Sequence, residues 1–131
     1  MIARRLLNLL IKLGIYQKHY KITYTGDITS ANVVWESRHW SIRSAVKLKF
    51  SKIFKVLLLE AKVKKLEEFS LFILYSSKHD CDNLSCLGKI FVDTMKEVYI
   101  PNDDTRFYKS YHCIYDKSLP KNTVEFNVVG K

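Results

Sequence analysis

Proline and glycine are scarce, at two and four in 131 residues. Disordered and low-complexity chains are rich in such residues, so disorder is not the default reading. No internal repeat, linker or biased tract interrupts the sequence. Cysteine is scarce as well: Cys81, Cys86 and Cys113. An odd count without a secretory pattern favours reduced thiols in a cytosol over a disulfide framework. His79 and His112 neighbour Cys81 and Cys113, yet there is no C-x-x-C pair and the spacings fit no common zinc pattern. Buried or neutral thiols are the plainer reading. The apolar opening, 1–13, is too short and too interrupted to span a bilayer. It also lacks the small-residue cleavage site of a signal peptide.

What is present is apolar content and positive charge. At 131 residues the chain fits one domain, and a hydrophobic fraction of 47% is enough for a core. The formal net charge of +9 points to a polyanionic partner, either nucleic acid or an acidic membrane surface. The charge is unevenly spread. Residues 79–104 hold six acids (Asp80, Asp82, Asp93, Glu97, Asp103, Asp104) against two bases (Lys89, Lys96), a balance of −4. Elsewhere twenty bases face seven acids, a balance of +13. Carboxylates repel a phosphate backbone unless cations lie between them, and a divalent metal site supplies such cations.

Periodicity gives the elements. Ile2, Leu6, Leu9, Leu10 and Leu13 recur at helical spacing, with Gly14 as a stop. This N-terminal amphipathic helix occupies 1–18, ahead of a main domain over 19–131. It is expected to dock on the body or on a second subunit, the alternative being a membrane-surface helix. Residues 20–25 alternate as a strand, 26–32 read as a loop, and 33–35 start another short strand. From Ser37 a helix begins, with Val46, Phe50, Ile53, Phe54, Leu57 and Ala61 on one face. Arg43, Lys47, Lys49, Lys52, Lys55 and Lys62 spread over the remainder. They are a solvated face on the plain reading and phosphate contacts on the functional one. The run 69–75 is a buried strand. Residues 83–98 form a helix with Leu84, Leu87, Phe91, Met95 and Val98 on one face. Residues 106–115 form a strand, and 123–129 another that should pair with it as a hairpin. The order predicts an α+β fold: a small mixed sheet with helices packed on one face, plus the extra N-terminal helix.

Chemistry concentrates where the apolar strand hands over to the second long helix. Asp80 and Asp82 lie two apart, so in extended chain both carboxylates point to one side. Asn83 and the free amides of the helix start can orient them. Lys89 lies seven residues past Asp82, two turns along one helix face. Asp103 and Asp104 open the next loop, which can fold back onto the helix start. Three carboxylates and a lysine suit phosphodiester hydrolysis: metal ions bind the phosphate and activate water, and the lysine offsets developing charge. Plainer roles exist for each residue. Asp82 can be an N-cap, Asp103 and Asp104 turn residues, and Asp93 a partner of Lys89 or Lys96.

The ordered set carries more than its parts. Asp80-Cys-Asp82-Asn83-Leu84, then Lys89-Ile-Phe-Val-Asp93, then Asp103-Asp104 before a strand, resembles the RusA-like Holliday junction resolvases. The resemblance covers about 20–129, and its specific motifs lie within 80–104. It implies a small α+β fold, a homodimer, magnesium as cofactor with manganese as a possible substitute, and symmetric nicking of four-way DNA junctions. The family is frequent in phages and prophages, which implies a bacterial or phage-infected host cytoplasm and no membrane. By the same resemblance Asp80, Asp82 and Asp104 would be metal ligands and Lys89 the catalytic lysine. Asp103, Asp93 and Asn83 would be auxiliary. Here Ser85-Cys-Leu-Gly88 precedes the lysine, an addition of nearly one helical turn relative to the better-known members. DNA contacts are expected from Arg43, Lys47, Lys52, Lys55 and Lys78. Two other classes compete: a non-catalytic nucleic-acid-binding module using the aromatic 107–115 strand, and a basic assembly protein docking through residues 1–13.

Overall fold

The strands and helices follow the apolar pattern of the chain. The protein, as a computed structural model, is described for residues 2–28, 40–78 and 81–131, the side chains of residues 2, 3, 82 and 83 excepted. The described elements are α1 (Ile2–Lys12), β1 (Lys18–Thr25), α2 (Trp40–Glu60), β2 (Phe69–Ser76), α3 (Cys81–Met95), β3 (Tyr108–Tyr115) and β4 (Thr123–Gly130). The expected strand at 33–35 and the expected helix start at Ser37 lie outside the described residues.

The four strands form one mixed sheet in the order β1-β4-β2-β3. β4 runs antiparallel to both β1 and β2, while β2 and β3 are parallel. A parallel pair needs a crossover, and α3 supplies it. The expected β3–β4 hairpin is therefore corrected. β4 is buried at all eight positions, whereas the exposed side chains of β3 suit an edge. A strand apolar on both faces gains most from a central place, so β4 inserts between β1 and β2.

Alternation sorts the sheet's two faces. Leu71, Ile73, Val124, Phe126 and Val128 meet α2 and α3 in the main core. Phe54 is its hub, its ring packing edge-on against Tyr24, Phe91 and Phe126. Phe50 and Phe54 of the expected α2 face are fully buried, and Val46, Ile53, Leu57 and Ala61 pack at the margin. Leu58 is also fully buried, though it was not placed on that face. The fold is thus α+β with α2 and α3 together on one face.

Helix α1 covers the opposite face, where Leu7 packs on Phe72 and Val129. The expected α1 stripe is corrected: Leu6, Leu9 and Leu13 are at least half exposed. Arg4 explains the rotation. Its guanidinium donates to both Glu125 oxygens at 3.1 Å and to Asp116 at 3.5 Å. Holding those buried carboxylates turns Arg4, Leu7 and Ile11 toward the sheet, at i, i+3 and i+7. The expected helix over 83–98 ends at Met95 instead. Val98 is 58% exposed in the turns that follow, while Leu84, Leu87, Phe91 and Met95 fill the core.

Candidate active site on helix α3 and the loop before β3

Helix α3 aims its apolar side inward, which leaves Ser85, Lys89, Asp93 and Lys96 on its outer side. Beyond it, Ile100 is buried and anchors the chain's return. The loop then turns at Asp103 and Asp104. The Asp103 amide donates to Asn102 Oδ1 at 2.8 Å. The amides of Phe107 and Tyr108 donate to the Asp104 carbonyl at 3.0 and 2.9 Å. That turn feeds directly into β3.

The loop folds back onto α3, but against its middle and end and not at the expected helix start. Lys89 Nζ donates to Asp103 Oδ2 at 3.0 Å and pairs with Asp93 Oδ1 at 3.0 Å. Lys96 approaches Asp93 at 3.8 Å and Asp103 at 3.5 Å. Two lysines and two aspartates thus alternate in one net. Lys89 is 60% and Asp93 46% exposed, so each pair contributes at most about 1 kcal/mol and can open when a ligand binds. The plain expectation for Asp93, pairing with Lys89 or Lys96, is met by both.

These contacts set the charge states. The Asp103 hydrogen bond, then that of Asp93, holds the Lys89 ammonium above its ordinary value. In return Lys89 lowers the Asp103 carboxyl. Lys89 is therefore a fixed cation at neutral pH, suited to offsetting negative charge and not to accepting a proton. Asp104 is also lowered, first by the Arg106 side chain. Arg106 Nε and backbone N both donate to Asp104 Oδ1, and Nη2 donates to Oδ2 at 2.8 Å. Both Asp104 oxygens are ionised and face the surface, held by a cation that a metal ion would have to displace.

The remaining expected residues fall as follows. Asp80 lies outside the described residues, as do the side chains of Asp82 and Asn83. The backbone of Asp82 and Asn83 lies in the first turn of α3, on the same helix as Lys89. Among the described residues no three His, Cys, Asp or Glu side chains converge where a metal ion could sit. Lys78 is exposed just past β2. Arg43, Lys47, Lys52 and Lys55 are exposed on α2, with Lys55 paired to Glu97 at 3.1 Å. Lys47 lines a groove of about 340 Å³ between α2 and α3, shared with Asp93, Thr94 and Glu97. Cys81, Cys86 and Cys113 form no disulfide. Cys81 Sγ sits 3.3 Å from the Cys113 carbonyl and from the Tyr75 hydroxyl.

Sequence reasoning named Lys96 as a partner of Asp93 and the aromatic 107–115 strand as a binding surface, but it missed Arg106 and the placement of Tyr108 and Tyr111 beside α3. Arg106 was legible: an arginine two residues after an aspartate in a turn can fork onto it. The placement of the tyrosines was not. A register shift between Phe69 and Ser70 sets Tyr108 and Tyr111, three residues apart, against the same side of α3. No family model and no curated protein matches the chain.

Proposed function

We propose that this chain is a magnesium-dependent, structure-specific endonuclease that resolves four-way DNA junctions by paired symmetric nicks. The observation that supports this most is the return of the 102–106 loop onto α3. It brings Lys89 and Asp103 into a 3.0 Å contact across fourteen residues of chain. Those residues belong to the motifs that resemble the RusA-like resolvases, in the same order. In this reading Asp80, Asp82 and Asp104 hold Mg2+, or Mn2+ in its place, and Lys89 offsets charge on the phosphate. Asp103, Asp93 and Asn83 support them. Arg43, Lys47, Lys52, Lys55 and Lys78 contact the backbone.

Bound metal would activate water for in-line attack, leaving a 5′-phosphate and a 3′-hydroxyl. A homodimer suits the task, since two sites related by a two-fold axis can cut two symmetric strands. No helix among the described residues is long and apolar enough to cross a membrane. The reading places the enzyme in a bacterial or phage-infected host cytoplasm.

The test is a synthetic four-way junction incubated with the protein and Mg2+ or Mn2+. Paired nicks are expected, and Asp82→Asn should abolish them while leaving junction binding within about twofold. No cleavage with either metal would sink the enzymatic reading. A second reading draws on the pairing itself. Lys89 is engaged by Asp103 and Asp93, and Asp104 by Arg106, as in a binding module without catalysis. Titrating Mg2+ by calorimetry separates the two, because the module has no specific metal site.

A further inference from the structure

Beside the candidate site lies a second cleft, of about 340 Å³, within the range of small-ligand sites. From α3 it is lined by Ser85, Gly88, Lys89 and Val92. Tyr108 and Tyr111 of β3 and Asp103 of the preceding loop complete the lining. The helix side is thin for a reason. A Cβ on Gly88 would stand 3.2 Å from the Tyr111 ring and 3.1 Å from Ile73 Cδ1. Glycine at this position lets the Tyr111 ring lie along the helix.

The two rings do not have the same role. Tyr108 stacks on Phe69 at 4.5 Å between centroids and is fixed in place. Tyr111, on the edge strand, is 39% exposed and so is open to a ligand from solvent. Burial raises both phenols, Tyr108 to about 12, so both stay protonated hydrogen-bond donors at any working pH. Lys89 also lines the cleft, carrying a fixed positive charge.

We propose that this cleft takes one unpaired nucleobase, stacked on Tyr111, with the phosphate of the same nucleotide against Lys89. The assignment deepens the nuclease reading and rests on it: a base drawn from the strand here would bring its own phosphate to the site's lysine. Aromatic walls suit the π-face of any base, and the cation suits the phosphate. Extruding a base costs least where pairing is already broken, as at a branch point.

The test needs neither metal nor cleavage, so it can fail or succeed apart from the nuclease reading. The full chain, labelled with 15N, is titrated with a thymidine pentanucleotide and with an abasic pentanucleotide of equal charge. The amide signals of Gly88 and Tyr111 are followed. The thymidine strand should shift both saturably and bind at least about fivefold tighter than the abasic strand. Tyr111→Ala should lose at least about fivefold in affinity, and Tyr111→Phe should restore it to within about twofold. Equal affinity for the abasic strand would overturn the proposal, as would an unchanged Tyr111→Ala. The wild-type comparison and Tyr111→Phe keep the test decisive if the alanine variant does not fold.

Discussion

Arg4 shows how one side chain can set the position of a whole helix. Asp116 and Glu125 are buried to 1% and 3% exposure, and Arg4 bridges them. Burial alone would raise the Asp116 carboxyl. The Ser118 hydroxyl and amide, followed by Arg4, outweigh it, and the net shift is downward. A carboxyl with a lower pKa in the folded chain contributes stability above its unfolded value, near 3.9, and loses it as pH falls through the folded one. Arg4→Ala leaves two buried acids without their cation. Since Arg4 is one-third exposed, the expected loss at pH 7 is about 2 kcal/mol, below that of a fully buried pair. The difference from wild type should shrink below about pH 4, as Asp116 takes up a proton. Denaturant titrations of both proteins at pH 7 and pH 3 measure it; a gap that does not narrow would mean that Arg4 acts by packing alone. No single-residue signal in the sequence marks this bridge. Arg4 is 112 residues from Asp116, and its partners are known only once β4 is placed.

At the scale of elements, strand identity was legible and strand pairing was not. The apolar run at 69–75 and the alternation at 123–129 each announce a strand, and both form. Chain proximity then suggested a hairpin for β3 and β4. The winning arrangement instead buries both faces of β4 between β1 and β2. Its end shows how close the fit is. A Cβ on Gly130 would come within 1.9 Å of the Glu68 carbonyl oxygen and 2.9 Å of Phe69 Cα, both backbone atoms. The neighbouring chain is tied there as well: Glu67 N donates to the Lys131 carbonyl at 2.7 Å, and Lys131 N to the Glu68 carbonyl at 3.0 Å. Backbone cannot step aside as a flexible side chain would. Gly130→Ala should therefore destabilise by about 3 kcal/mol, at the upper end of overpacking costs. The denaturation midpoint at unchanged m-value reads this directly. A loss under about 0.5 kcal/mol would mean that the β4 end can shift without cost.

For the whole molecule, the site was half legible for the same reason the charge was. An acidic island in a basic chain can be counted from the sequence, and the spacing of Lys89, Asp93, Asp103 and Asp104 names its members. Which carboxylate meets which cation depends on how a loop returns, and that is a tertiary fact. Lys89 meets Asp103, and Asp104 goes to Arg106. The same logic sorts the basic surface of α2. Lys52 has no ion pair among the described residues, whereas Lys55 is held by Glu97 at 3.1 Å. A lysine already neutralised releases less counterion on meeting a phosphate. If α2 tracks the backbone, each engaged lysine contributes about −0.9 to the slope of log K against log salt. Lys52→Gln should then flatten the slope for four-way-junction binding by nearly that amount. Glu97→Gln should steepen it, because Lys55 is released to a phosphate. Both are read by fluorescence anisotropy over a salt series, on the Asp82→Asn background so that the junction stays intact. Unchanged slopes in both variants would remove α2 from the DNA-binding face. The +13 balance outside the acidic island would then have to act through the cations of other elements.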